Sequence, residues 1–264
     1  PVAGAPTPPG VPAALPPDLG ISAAGRPGPA EGTEPRRASP TGSGQGRPGA
    51  AQLDGVQTPQ LTIEKLDITS AKDTAEAGKF DVDVLINNAG AGQTGPMADV
   101  PIQRVRQVFE VNVFGTIAIT QAILSKMAQR GDGRIIIVSS IAGVLAGPSF
   151  GPYAMSKHAL EAMGKAMRAE LAPAGIDVTL INPGPYNTGF NDRMAASMWE
   201  WFGAGAVSAP ATDLLRAIGT MVTTNQLDPI DVANKLVELV EAETTQVNNF
   251  MPPELRDFAK SQLG

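Results

Sequence analysis

Tyr153 and Lys157 stand four residues apart in Tyr-Ala-Met-Ser-Lys. That spacing puts both side chains on one face of a helix, within reach of one ligand. A phenol with its ordinary pKa of about 10 transfers protons poorly at neutral pH, and a neighbouring ammonium favours the phenolate and moves that pKa toward a working value. The pair alone is weak evidence, because both residue types recur at this spacing by chance and a lysine one turn along commonly just faces solvent. Three other groups have the same kind of placement: Ser139-Ser140, Asn182-Pro183-Gly184 and Asn87-Asn88-Ala89-Gly90 each close an apolar run. Asparagine and glycine favour turns for reasons of their own, so the last group reads either as a plain strand-to-loop turn or as a place where a ligand crosses. His158, the single histidine, reads as an ordinary helix side chain or as a base.

Strands and helices must bring these groups together. Residues 82–86, 134–138 and 176–181 are apolar runs of strand length, and 61–66 alternates as a half-buried strand does. Residues 101–129 predict one long helix, with Ile102, Val105, Val108, Phe109, Val113 and Ile117 at helical spacing, and a second helix covers 153–172. The unbroken apolar run at 134–138 suits a parallel sheet covered on both faces. Strands alternating with helices predict an α/β fold, a Rossmann-like doubly wound parallel sheet in three α/β/α layers with right-handed crossovers. Ligands bind such sheets at the carboxyl ends of the strands, the rim where the four groups fall.

The ordered set resembles the short-chain dehydrogenase/reductase family. Its elements are Asn87 to Gly90, Asn112 within Val-Asn-Val-Phe-Gly, Ser140 thirteen residues before Tyr153, Lys157, and Pro183-Gly184 followed by Thr188. The match is good over 58–190 and loose beyond. The resemblance implies an enzyme that interconverts an alcohol and a carbonyl with NADP or NAD, the preference not being readable. It implies that Tyr153 is the general acid in reduction and the base in oxidation, that Ser140 holds the substrate oxygen, and that Lys157 lowers the phenol pKa and binds the nicotinamide ribose. Asn112 would hold a water in a proton relay. Asn88, Ala89, Gly90, Pro183, Gly184 and Thr188 would complete the cofactor site with Tyr153 and Lys157. Asp67 resembles the aspartate that contacts the adenine amine, and also reads as a solvated turn residue.

By the same resemblance, 186–227 stands where the family varies with its substrate. Tyr186, Phe190, Met194 and Trp199, with Met198, Trp201 and Phe202 nearby, form a dense apolar group in a chain that is only 5% aromatic. They suggest a pocket for a lipid-like, aromatic or terpenoid alcohol or ketone, or equally a helix packed on the sheet or on a second subunit. A homodimer or homotetramer through the two long helices is implied by resemblance alone.

The family also implies a first βαβ unit with a glycine-rich turn beneath the cofactor pyrophosphate. The string Thr41-Gly-Ser-Gly-Gln-Gly-Arg-Pro48 imitates that turn, but it follows no apolar strand, opens no helix and lies too near Asn88. Residues 1–50 hold 12 prolines and 10 glycines, and no aromatic precedes Phe80. Such a composition buries no core, so 1–55 is expected to be irregular or disordered and 56–264 to be the catalytic domain. Counting back roughly 70 residues from Asn88, the length of the intervening units, reaches the proline-rich tract. A length kept while the sequence is replaced fits a segment of a GC-rich gene read out of frame. The sheet would then lack its first strand, the run at 82–86 would lose a neighbour, and the residue that selects the cofactor would be lost. The sequence opens on Pro1 rather than methionine, so a fragment, a processed product or an altered chain is expected.

Composition narrows the partners. With 20 basic and 26 acidic side chains the net charge is −6, without long runs, which argues against nucleic acid and for a small-molecule partner. The absence of cysteine excludes disulfides and thiolate chemistry, and one histidine leaves no expected metal site. No run reaches the roughly 18 uninterrupted apolar residues of a spanning helix, no secretory signal is readable, and a cytoplasmic location is the default. Two rival readings remain. One is a non-catalytic binding or scaffold lookalike that has lost its cofactor site; the other is a truncated domain with a genuine Pro/Gly-rich interaction tail.

Overall fold

Ile135, Ile136 and Ile137 are all completely buried, as a strand requires when helices cover both faces of its sheet. In the computed structural model the described residues are 61–263 together with the strand at 21–24. Five strands, β1 (Ile21–Ala24), β2 (Val84–Asn87), β3 (Gly133–Val138), β4 (Ile176–Pro183) and β5 (Asn248–Met251), lie side by side in that order. β2 to β5 are parallel. The helices are α1 (Ala71–Ala77), α2 (Ile102–Phe109), α3 (Thr116–Arg130), α4 (Gly151–Leu171), α5 (Phe190–Ser197), α6 (Thr212–Thr223), α7 (Ile230–Glu241) and α8 (Leu255–Leu263). On one face of the sheet Leu85, Ile135, Ile137 and Leu180 pack with Ile119, Ile123 and Leu160 from α3 and α4. On the other, Val84, Ile136 and Ile181 pack with Leu239 of α7. The expected α/β doubly wound architecture is therefore present.

Three expectations need correction. Residues 61–66 form no strand; Leu61 and Ile63 are 40% and 50% exposed, and an alternating pattern without a neighbouring strand has no face to bury. β2 does not lose its neighbour, because β1 pairs with it, Ile21 opposite Asn87, but antiparallel where a βαβ crossover would give a parallel strand. The long helix is not uniform: residues Glu110–Gly115 between α2 and α3 form a π-helical turn, a device that widens a helix and recurs at functional sites. The tract at 6–17, the string at 41–48 and the boundary near residue 55 lie outside the described residues.

By length and composition the stretch Ile102–Arg130 could cross a membrane, yet half of its most apolar window is buried in the fold. Val108, Ile119, Ile123 and Met127, all at most 3% exposed, account for that apolar character as core packing.

The amino-terminal ends of β3 and β4 are set by two left-handed glycines, Gly131 after α3 and Gly175 before β4. A Cβ on Gly175 would stand 2.1 Å from the Gly131 carbonyl oxygen, and its φ of +73° already disfavours any side chain. Gly175→Ala is therefore expected to destabilise the fold by about 2–4 kcal/mol, read as a lower urea midpoint at an unchanged m-value.

Candidate active site

β2, β3 and β4 end at one rim and deliver polar residues there. β3 runs into Ser139-Ser140, where the Ser140 hydroxyl caps the short turn Ile141–Gly143 by accepting the Ala142 amide at 3.1 Å. α4 then begins with Pro152 in its first turn and carries Tyr153 and Lys157 inward, 7% and 4% exposed. The Lys157 ammonium donates to the Val138 carbonyl at 2.8 Å and lies 5.6 Å from the Tyr153 ring centre. β4 ends at Asn182-Pro183-Gly184, and the Ser140 hydroxyl reaches the Pro183 carbonyl at 3.4 Å.

Asn112 sits in the π-helical turn and is completely buried. It accepts the Ala91 amide at 2.7 Å and donates to the Ala91 carbonyl and to the Ser156 hydroxyl, both at 2.9 Å. Its side chain thus reads the backbone just after Asn-Asn-Ala-Gly as a third strand-like partner would, and ties that loop to α4. Asn87 makes a similar tie to Thr120 at 2.9 Å.

The strand-end residues and the Tyr153–Lys157 pair, with Asn87 and Asn112 behind them, border a cleft of about 1010 Å³ lined among others by Asn88, Gly90, Ser140, Tyr153, Lys157, Pro183, Gly184 and Thr188. Burial pushes the Tyr153 phenol up to about 12, against the smaller effect of a hydrogen bond with Ser140. Burial also pushes Lys157 down to about 8, opposed by the charge of Glu161. The phenol thus moves opposite to the direction expected from its lysine neighbour: desolvation dominates, and the ammonium hydrogen-bonds the Val138 carbonyl instead. A protonated phenol at neutral pH is the form that can give a proton away.

Of the substrate-pocket residues expected from sequence, Tyr186, Phe190 and Met194 line this cleft, Phe190 with its ring centre 5.7 Å from that of Tyr153. Trp199 does not; its ring takes the Arg216 guanidinium at 4.4 Å and the Phe202 ring at 5.9 Å. Trp201 also turns away from the cleft and packs within 6.0 Å of Phe202. Asp67 stays outside the cleft as well. It accepts the Thr69 amide and hydroxyl at 3.0 and 2.7 Å, the behaviour of a turn aspartate. Ala89 and Asn112 are buried behind the wall and do not line it. His158 does line it, exposed, with its ring nitrogen 2.9 Å from the Ala154 carbonyl.

The sequence reading missed the opposite wall. Leu145, Phe150, Met221, Leu236 and Phe258 reach the cleft from the loop before α4 and from α6, α7 and α8. The helical spacing of apolar residues in 212–223 and 230–241 was the available signal.

A profile described as short chain dehydrogenase matches residues 50–199. The chain is similar to an uncharacterized oxidoreductase, YusZ, of Bacillus subtilis (strain 168), 40% identical over 158 residues that cover 58% of this chain and 54% of that protein. It is also similar to an NADPH-dependent 3-dehydrocapnine reductase of Ornithobacterium rhinotracheale, 47% identical over 116 residues that cover 42% of this chain and 41% of that one. The chain spans about half the length of the curated relatives it matches. Among solved structures, a short-chain dehydrogenase from Streptomyces avermitilis superposes with a TM-score of 0.66 at 28% identity, covering 78% of this chain and 75% of that one.

Proposed function

Because this chain belongs to the short-chain dehydrogenase family, we propose that it is an NAD(P)(H)-dependent oxidoreductase that interconverts a secondary alcohol and a ketone or aldehyde carbonyl. The observation that carries this reading is the convergence of the Ser140 and Tyr153 hydroxyls and the Lys157 ammonium on the floor of one cleft. When bound, the nicotinamide supplies the hydride. The described residues suit that end of the cofactor. Gly90 leaves bare backbone facing Lys157, where a Cβ would still lie 3.9 Å from Nζ, and an ammonium has three donors, of which Val138 takes one. In reduction the Tyr153 hydroxyl gives its proton to the carbonyl oxygen as the carbon accepts hydride, and Ser140 donates a hydrogen bond to that same oxygen. Lys157 then stabilises the phenolate left behind, until a proton returns from solvent.

The apolar wall of Phe190, Met194, Leu145, Met221 and Phe258 supports a largely apolar substrate. The exposed Ile102, Phe114 and Met155 on the two long helices support a homo-oligomer. The decisive experiment follows nicotinamide fluorescence with NADPH and NADH, then cofactor oxidation with apolar ketones and with short sugars. Saturable binding is expected for one cofactor, weakened about 10- to 100-fold in Lys157→Ala by loss of a charged hydrogen bond, with apolar ketones turned over faster. Preference for sugars overturns the apolar pocket. Absence of binding by either cofactor favours the second reading, a binding or scaffold protein without catalysis.

A further inference from the structure

One helical turn beyond Lys157, α4 carries a carboxylate that the chemistry above does not use. Glu161 is 3% exposed, and a carboxylate so buried is costly unless its oxygens are paired. They are: Oε1 accepts from Asn182 at 2.6 Å, and Oε2 accepts from Asn248 at 2.6 Å and faces the Lys165 ammonium at 3.3 Å. Asn182 donates its other amide hydrogen to the Ser140 carbonyl at 3.2 Å, and its own oxygen accepts from Asn248 at 3.0 Å. A single carboxylate thus ties the carboxyl end of β4 to the first residue of β5 and, through Asn182, to the residues that follow β3. Its stem also packs beneath the turn that follows Ser140: a Cβ on Gly143 would lie 3.0 Å from Glu161 Cγ and 2.6 Å from the Ser139 hydroxyl.

We propose that Glu161 is a positioning residue of the active site: it pins Ser140 through Asn182 and holds a negative charge one helical turn from Lys157. The inference rests on the oxidoreductase reading for its meaning, but its physical content can be tested without turnover. Lys157 is desolvated and has few charges to help it. On α4 its titratable neighbours are Tyr153, His158 and Glu161; Arg193 of α5 borders the same cleft. From β2, β3 and β4 and their loops the cleft receives Asn88, Gly90, Val138, Ser140 and Gly184, none of them charged. Glu161 is the acidic group that opposes the downward push of burial on Lys157. Without it the ammonium gives up its proton at lower pH, and the alkaline limb of the reduction rate moves the same way.

The test is a carbon-13 titration of the Lys157 side chain in the full chain, with the pH profile of ketone reduction beside it. Glu161→Gln is expected to lower the Lys157 midpoint and the alkaline limb together by about one pH unit. Lys165→Gln, at a side chain 51% exposed, frees the Glu161 charge from its counter-ion and is expected to shift both upward by about 0.3. The combined variant should stay below the parent, because Lys165→Gln cannot restore the negative charge that Glu161→Gln removes. Lys157 midpoints within 0.1 of the parent in both single variants overturn the proposal, and Lys165→Gln alone decides if Glu161→Gln does not fold. Failure of the oxidoreductase reading looks different: the parent transfers no hydride at any pH, whatever the Lys157 titration shows.

Discussion

Tyr153→Phe is expected to lower the rate of carbonyl reduction by about 10²- to 10⁴-fold, the usual weight of a positioned general acid, with little change in KM. The substitution removes one oxygen and leaves the ring, so its 5.7 Å contact with Phe190 persists. The phenol is buried and held protonated by that burial, and the Ser140 hydroxyl beside it already accepts the Ala142 amide and reaches the Pro183 carbonyl. Steady-state rates with a slow apolar ketone, compared with the thermal midpoint of the same variant, check this. A rate within tenfold of the parent would assign the proton to another group, with His158 the first to examine because it lines the same cleft.

The largest stability effect is expected at Asn112. Asn112→Leu keeps the branched skeleton but is bulkier, strands the amide and carbonyl of Ala91, and leaves the Ser156 hydroxyl only its bond to the Tyr153 carbonyl, where Asn112 paired all three at 2.7–2.9 Å. Buried groups left without partners cost about 1–3 kcal/mol each; allowing for partial relaxation, a total loss of about 3–5 kcal/mol is expected, measured by urea unfolding. Because the stranded groups belong to the loop after β2, the surviving folded fraction should bind nicotinamide cofactor several-fold more weakly. Stability within 1 kcal/mol of the parent would mean that the loop re-forms around water, and that Asn112 is not its anchor.

Much of this arrangement was legible from residue order. β3 and β4 were readable because their apolar runs are buried on both faces, so their pattern carries no competing signal. Tyr153, Lys157, Ser140 and Gly184 reached one cleft because strand ends and helix starts share a rim by topology, whatever the details of packing. Trp199 was misplaced for the opposite reason. Its type suited an apolar wall, but its direction depends on where Arg216 and Phe202 come to rest, which no local pattern encodes. Asp67 illustrates the same limit, since aspartate satisfies a turn as readily as a ligand. The π-helical turn was hidden because Phe109, Val113 and Ile117 keep an ordinary helical spacing across it. β1 was hidden because prolines and glycines surround it.

The parallel pairing of β2, β3, β4 and β5 also has a kinetic meaning. Each neighbour arrives only after an intervening helix has been crossed: Ile136 meets Thr179, and Leu180 meets Asn248. Contacts so distant along the chain close slowly, while helices form from local ones. The reactive hydroxyls and the ammonium are drawn from both sides of those late closures. During refolding, helical circular dichroism should therefore return well before any capacity for turnover, and chains caught between the two stages will present open strand edges to one another.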